Sequence, residues 1–128
     1  MKILGIGVDI IKNKRIEKSI KNKRFIQRIF NKEEIDIFTK EKIKKSFYAK
    51  RFAAKESFSK ALGTGFRKEL NFKDIIILNN KLGKPFFKKT KKINNIILKK
   101  FRVKNYNMFL SISDEKDYSI AFTILQKN

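Results

Sequence analysis

The chain contains no cysteine, no histidine and no tryptophan, and only one proline and five glycines in 128 residues. Without cysteine there can be no disulfide, thiolate nucleophile or Cys-ligated zinc. Without histidine there is no Ser-His-Asp triad, no imidazole acid–base chemistry and no usual transition-metal site. No apolar run approaches the ~18 residues of a spanning helix, and the amino terminus lacks a signal peptide's long apolar region, so a cytoplasmic location is expected. Acid is scarce too: 12 Asp and Glu stand against 33 Lys and Arg, a formal charge of +21. Any chemistry must run on carboxylates, lysines, hydroxyls and a hard cation.

The chain is nevertheless 41% hydrophobic with 13 Phe, enough for a packed core, and its length predicts one domain spanning residues 1–128. Lys, Ile, Asn and Phe, the residues of A/T-rich codons, dominate the composition, so part of the charge reads as compositional background. The rest suits an acidic partner, or nucleic acid, through phosphate neutralisation. A basic RNA- or ribosome-associated binding protein without catalysis is the alternative reading. The scarcity of Arg relative to Lys and the lack of an RNA-recognition aromatic signature count against it. The densest basic stretch near the start, residues 12–28, interleaves its charges with Ile16, Ile20, Phe25 and Ile26 and predicts one amphipathic helix.

Ile3-Leu4-Gly5-Ile6-Gly7-Val8-Asp9-Ile10-Ile11 predicts a buried strand whose glycines allow close backbone approach. Asp9, a lone carboxylate among branched apolar residues, is costly to bury unless hydrogen-bonded or bound to a cation. Asn31-Lys32-Glu33-Glu34 has a capping-box pattern opening a short helix. Residues 43–62 carry apolar side chains at helical spacing and predict the longest helix, with Gly63 as its C-cap. Residues 71–78 and 84–87 read as strands around a turn at 79–83, residues 90–101 as a surface helix, and 107–113 and 118–125 as a final strand pair. This order predicts an α+β fold, a small antiparallel sheet packed by helices.

Glu56 and Lys60 are four apart on the long helix and face the same way; Glu56 is the sole acid between Lys42 and Lys68. Asp9 and Glu56, on separate rigid elements, suit a shared Mg²⁺ that also takes substrate phosphate oxygens. Ser111 and Ser113 alternate along one strand and point to the same sheet face.

In order, several stretches resemble the holo-[acyl-carrier-protein] synthase family of short bacterial 4′-phosphopantetheinyl transferases. They are Gly5-Ile6-Gly7-Val8-Asp9-Ile10 with Arg15-Ile16, then Arg51-Phe52-Ala53-Ala54-Lys55-Glu56-Ser57-Phe58-Ser59-Lys60-Ala61-Leu62-Gly63-Thr64-Gly65, then Gly83-Lys84-Pro85, and last Leu110-Ser111-Ile112-Ser113. The resemblance implies transfer of 4′-phosphopantetheine from coenzyme A to a serine of apo acyl carrier protein, with release of adenosine 3′,5′-bisphosphate, in support of fatty acid biosynthesis. It implies Mg²⁺ on Asp9 and Glu56, catalytic roles for Glu56 and Lys60, and a homotrimer with sites between subunits. Coenzyme A would then meet Lys60, Gly63, Gly65, Lys84, Pro85, Ser111 and Ser113. By the same resemblance Arg15 lies on the carrier-docking surface, which we extend to Arg24 and Arg28. The general base stays open among Glu56, Glu34, Asp36 and water. One departure stands out: the family typically has His after the Ser-x-Ser stretch, where this chain has Asp114.

Overall fold

The computed structural model describes residues 1–40, 46–66 and 69–128. Strand β1 (Lys2–Lys12) leads into helices α1 (Asn13–Ser19), α2 (Lys23–Ile29), α3 (Lys32–Lys40) and α4 (Ser46–Leu62). A short hairpin, β2 (Ile77–Asn79) and β3 (Pro85–Phe87), precedes helix α5 (Lys91–Phe101) and the long strands β4 (Tyr106–Asp114) and β5 (Tyr118–Lys127). The main sheet is antiparallel in the order β1-β5-β4, so the chain's first strand pairs with its last. The α+β class expected from the sequence is the one observed.

α4 is the organising element. It packs on one sheet face, while α1, α2, α3 and the hairpin surround its other sides, so nearly every α4 residue is buried. That is why its sequence shows no single apolar stripe: a helix covered all round has no solvent face to advertise. Aromatic rings fill the gap between α4 and the outer helices, with Phe30 on Tyr48 at 4.5 Å and Phe25 on Phe52 at 6.3 Å between centroids.

Three expectations change. The basic stretch 12–28 forms two helices, because the chain turns at Ile20-Lys21-Asn22 and the Asn22 side chain accepts the Arg24 N–H at 2.9 Å, capping α2 afresh. Residues 71–76 are not strand. Phe72–Asp74 form a 3₁₀ turn closed by the Asp74 carboxylate accepting the Asn71 N–H at 2.8 Å, which leaves only Ile77–Asn79 to pair. Third, β1 is covered on one face only. Ile6, Val8 and Ile10 join Phe109, Ile120 and Phe122 on an outer sheet face on which these side chains stay exposed among the described residues. The first residues of the expected long helix, 43–45, lie outside the described residues.

Candidate active site

β1 and α4 touch backbone to backbone. A Cβ built on Gly5 would lie 1.8 Å from the carbonyl oxygen of Ala61, and one built on Gly7 would lie 1.8 Å from that of Ser57. No side chain fits at either position. The same contact sets the neighbouring charges: Asp9 follows Gly7 on the same face of β1, and Glu56 and Lys60 directly precede Ser57 and Ala61.

The Lys60 ammonium donates to the Asp9 carboxylate and to the Val8 carbonyl, both at 3.1 Å. Asp9 keeps only 16% of its side chain exposed and Lys60 keeps 54%, so a recessed acid is met by a half-exposed cation. Glu56 lies one turn before Lys60 and is half-buried. Burial, first, and then the neighbouring Asp9 carboxylate push its pKa above the ordinary 4.5, while Lys60 and Arg15 pull the other way. Two carboxylates that repel each other beside two cations form a site that gains from a divalent ion. No group of three or more His, Cys, Asp or Glu suited to a metal occurs among the described residues. Two carboxylates with room for phosphate oxygens and water fit Mg²⁺, which rarely has an all-protein cage.

The remaining predicted residues fall into three groups. Lys84, Pro85 and Ser111 line one hollow of about 230 Å³ with Phe86 and Phe122, on the outer face of the sheet. Ser113 shares that face, whereas strand alternation turns Asp114 to the other. The loop after α4 bends through left-handed Gly63 and Gly65, and Thr64 and Gly65 line a cavity of about 540 Å³ with Leu62, Leu70, Ile96 and Lys100. Arg15, Arg24 and Arg28 line one hollow with Lys18, Asn22 and Phe25, so the break between α1 and α2 does not separate the arginines. The structure does not bring the first group to the acid pair: Asp9 and Ser111 lie on opposite edges and opposite faces of the β1-β5-β4 sheet.

A family model described as the 4′-phosphopantetheinyl transferase superfamily matches residues 5–123. The chain belongs to that superfamily. It is 63% identical to a holo-[acyl-carrier-protein] synthase of Pelagibacter ubique over 127 residues, 99% of each chain. A solved holo-(acyl-carrier-protein) synthase of Bacillus anthracis, in complex with CoA (3′,5′-ADP), superposes with a TM-score of 0.81 at 36% identity, covering 98% of both chains. The Helicobacter pylori holo-[acyl-carrier-protein] synthase in complex with coenzyme A gives 0.79 at 33% identity, covering 94% of this chain and 99% of that one.

In this transferase the sequence reading missed a buried charge cluster on the far side of α4. Glu34 and Lys55 are fully buried, and the Lys55 ammonium donates to the Glu34 carboxylate at 2.7 Å and to the carbonyls of Phe72 and Ile75. Glu34 also accepts the Asn31 N–H at 3.0 Å, closing the expected capping box, and the Ile77 N–H at 3.3 Å. With both oxygens committed inside the protein, Glu34 cannot serve as the general base. Burial draws the Lys55 pKa down, and the Glu34 carboxylate opposes it. The signal was faint: Ala53 and Ala54 precede Lys55, but Glu56 and Ser57 follow it and Arg51 lies one turn before, so nothing local marks it as buried. Asn13 was missed as well. Its side chain donates to the carbonyls of Glu115 and Lys116 and accepts the Ser119 hydroxyl, fastening the β4–β5 turn to the start of α1.

Proposed function

We propose that the chain transfers the 4′-phosphopantetheine arm of coenzyme A to a serine of apo acyl carrier protein, releasing adenosine 3′,5′-bisphosphate. The observation that carries this reading is the backbone contact at Gly5 and Gly7, which sets Asp9 beside Lys60 and Glu56. Mg²⁺ on Asp9 and Glu56 would neutralise the coenzyme's diphosphate and draw electron density from the phosphorus under attack. The carrier serine oxygen forms a bond to that phosphorus as the bond to the bridging oxygen breaks. Glu56, the half-buried acid beside Asp9, or a water it orients, takes the serine proton. Lys60, half-exposed beside Asp9, stabilises charge on the departing bisphosphate. Positioning and charge suffice for a loose phosphoryl-transfer transition state, so histidine is dispensable.

Because Lys84, Pro85 and Ser111 lie across the sheet from the acid pair, one chain presents two halves of a site. We take the apolar outer face of Ile6, Val8, Ile10, Phe109, Ile120 and Phe122 as the surface on which copies assemble, as a homotrimer that joins the halves. Arg15, Arg24 and Arg28 around Phe25 suit an acidic helical carrier, and the reaction would serve fatty acid biosynthesis in the cytoplasm. No helix among the described residues is long and apolar enough to cross a membrane.

The test mixes the protein with apo acyl carrier protein, coenzyme A and Mg²⁺ and weighs the carrier. A gain of one phosphopantetheine is expected, lost on Asp9→Ala or Glu56→Ala with the fold retained. No gain, with a known synthase working in parallel, overturns the proposal.

A further inference from the structure

The Gly63-Thr64-Gly65 loop has left-handed backbone at both glycines, φ +79° and +67°. A Cβ added at Gly63 would meet nothing within 4 Å, and one at Gly65 only the Ser59 hydroxyl at 3.9 Å. Neighbouring atoms therefore do not wedge these glycines in place, and glycine has the most conformational freedom to lose. The loop's first end is tied to α4, where the Gly63 N–H reaches the carbonyls of Ser59 at 3.2 Å and Lys60 at 3.0 Å. At its other end stands Phe66, whose ring stacks on Phe72 with centroids 3.7 Å apart and planes 21° from parallel.

Phe72 is itself held from two directions. Its ring stacks on Phe52 of α4 at 5.4 Å, and its carbonyl accepts a 2.8 Å hydrogen bond from the buried Lys55 ammonium. Phe52 and Lys55 lie four residues and one residue before Glu56, so the stretch of α4 that presents the acid also carries the support for the loop.

We propose that Phe66 and Phe72 are positioning residues for the coenzyme, their stacked rings fixing the far end of the Gly63-Thr64-Gly65 loop in the conformation that receives it. This rests on the transferase reading, in which that loop meets coenzyme A. The rings touch the loop directly, whereas they reach the carrier-docking surface only through Phe52 to Phe25 and at the edge of a hollow shared with Arg28, so coenzyme binding is the step that should respond first.

The test measures coenzyme A binding by calorimetry without carrier, and KM for each substrate. Phe66→Leu should weaken coenzyme A binding and raise its KM about fivefold, the scale of one lost aromatic pair. Carrier KM and Mg²⁺ affinity should change less than twofold, which a general loss of structure would not spare. Phe72→Leu, which removes the supporting ring, should reproduce the shift, and the double variant should be no worse than the more impaired single one. Phe66→Tyr keeps the ring and should bind as the parent does. A change below twofold in Phe66→Leu overturns the proposal, as does a Phe66→Tyr variant equally impaired or a carrier KM rising in step. A parent protein that binds no coenzyme A overturns the transferase reading and this inference together; normal parent binding with unaffected variants overturns this inference alone.

Discussion

Gly7→Ala tests whether the contact between β1 and α4 sets the active-site spacing. The new methyl would begin 1.8 Å from the Ser57 carbonyl oxygen and 2.6 Å from the Ala61 nitrogen, both helix backbone atoms that cannot rotate away. Reaching an ordinary carbon–oxygen contact of about 3.3 Å requires strand and helix to part by roughly 1.5 Å. Overpacking of this kind costs about 1–3 kcal/mol. At roughly 3–5 °C per kcal/mol for a chain of this size, Tm should fall by about 3–15 °C. The chemical loss should be larger than the thermal one. Asp9 sits two residues beyond the glycine while Glu56 and Lys60 ride on the displaced helix, and a misplacement of ~1 Å costs about a hundredfold in rate. The expected outcome, at a temperature where the variant is fully folded, is a fall of about a hundredfold in kcat/KM for phosphopantetheine transfer. Gly83→Ala is the comparison: its Cβ meets nothing within 4 Å, so at φ +86° it should cost only backbone strain of about 1–2 kcal/mol. A Gly7→Ala protein with unchanged Tm and kcat/KM within threefold of the parent would refute the reasoning.

Three further outcomes are expected. Lys55→Met leaves the buried Glu34 charge with only the more distant Arg51 guanidinium, 3.9 Å away, as counter-charge and should cost up to about 3–5 kcal/mol in urea unfolding, whereas Glu34→Gln with Lys55→Met should cost less; equal losses would mean that the pair's charge is irrelevant. Without metal, Glu56 binds its proton more tightly folded than unfolded, so it makes stability fall as pH rises from 4.5 through its raised native pKa. Glu56→Gln should remove that slope from Tm measured against pH in chelator, and Mg²⁺, expected to raise the parent's Tm, should leave the variant's unchanged. Asn13→Ala strips the buried Ser119 hydroxyl and two turn carbonyls of their partner, and should cost about 1–3 kcal/mol in thermal unfolding.

What could be read from the sequence was whatever depends on local pattern or on a residue out of place. The strand pair around residues 114–117 and the surface helix at 90–101 follow from alternation, turn chemistry and apolar spacing, and the structure has both. Asp9 stood out because a carboxylate in an apolar strand needs a partner, and the structure supplies Lys60 beside it. The break at Asn22 was hidden because periodicity carries on across a cap made by one side chain. The 3₁₀ turn at Phe72–Asp74 was hidden because Lys55, seventeen residues earlier than Phe72, holds it from inside. β1 looked buried because its β-branched residues read as a core face, whereas the face that meets α4 is the one with Gly5, Gly7 and Asp9, and no one-chain pattern tells a face meeting its own core from one meeting another molecule.

That bare sheet face makes abundance part of the chemistry. If each site is assembled from two chains, dilution should abolish turnover before it unfolds anything, so specific activity would depend on enzyme concentration. Two dead variants, one lacking Asp9 and one altered at Lys84 and Ser111, should then revive each other on mixing, since some junctions would pair an intact half from each. A newly made chain awaiting its fellows would carry an apolar sheet open to any passing strand, and an overall charge of +21 would be its main defence against sticking to copies of itself.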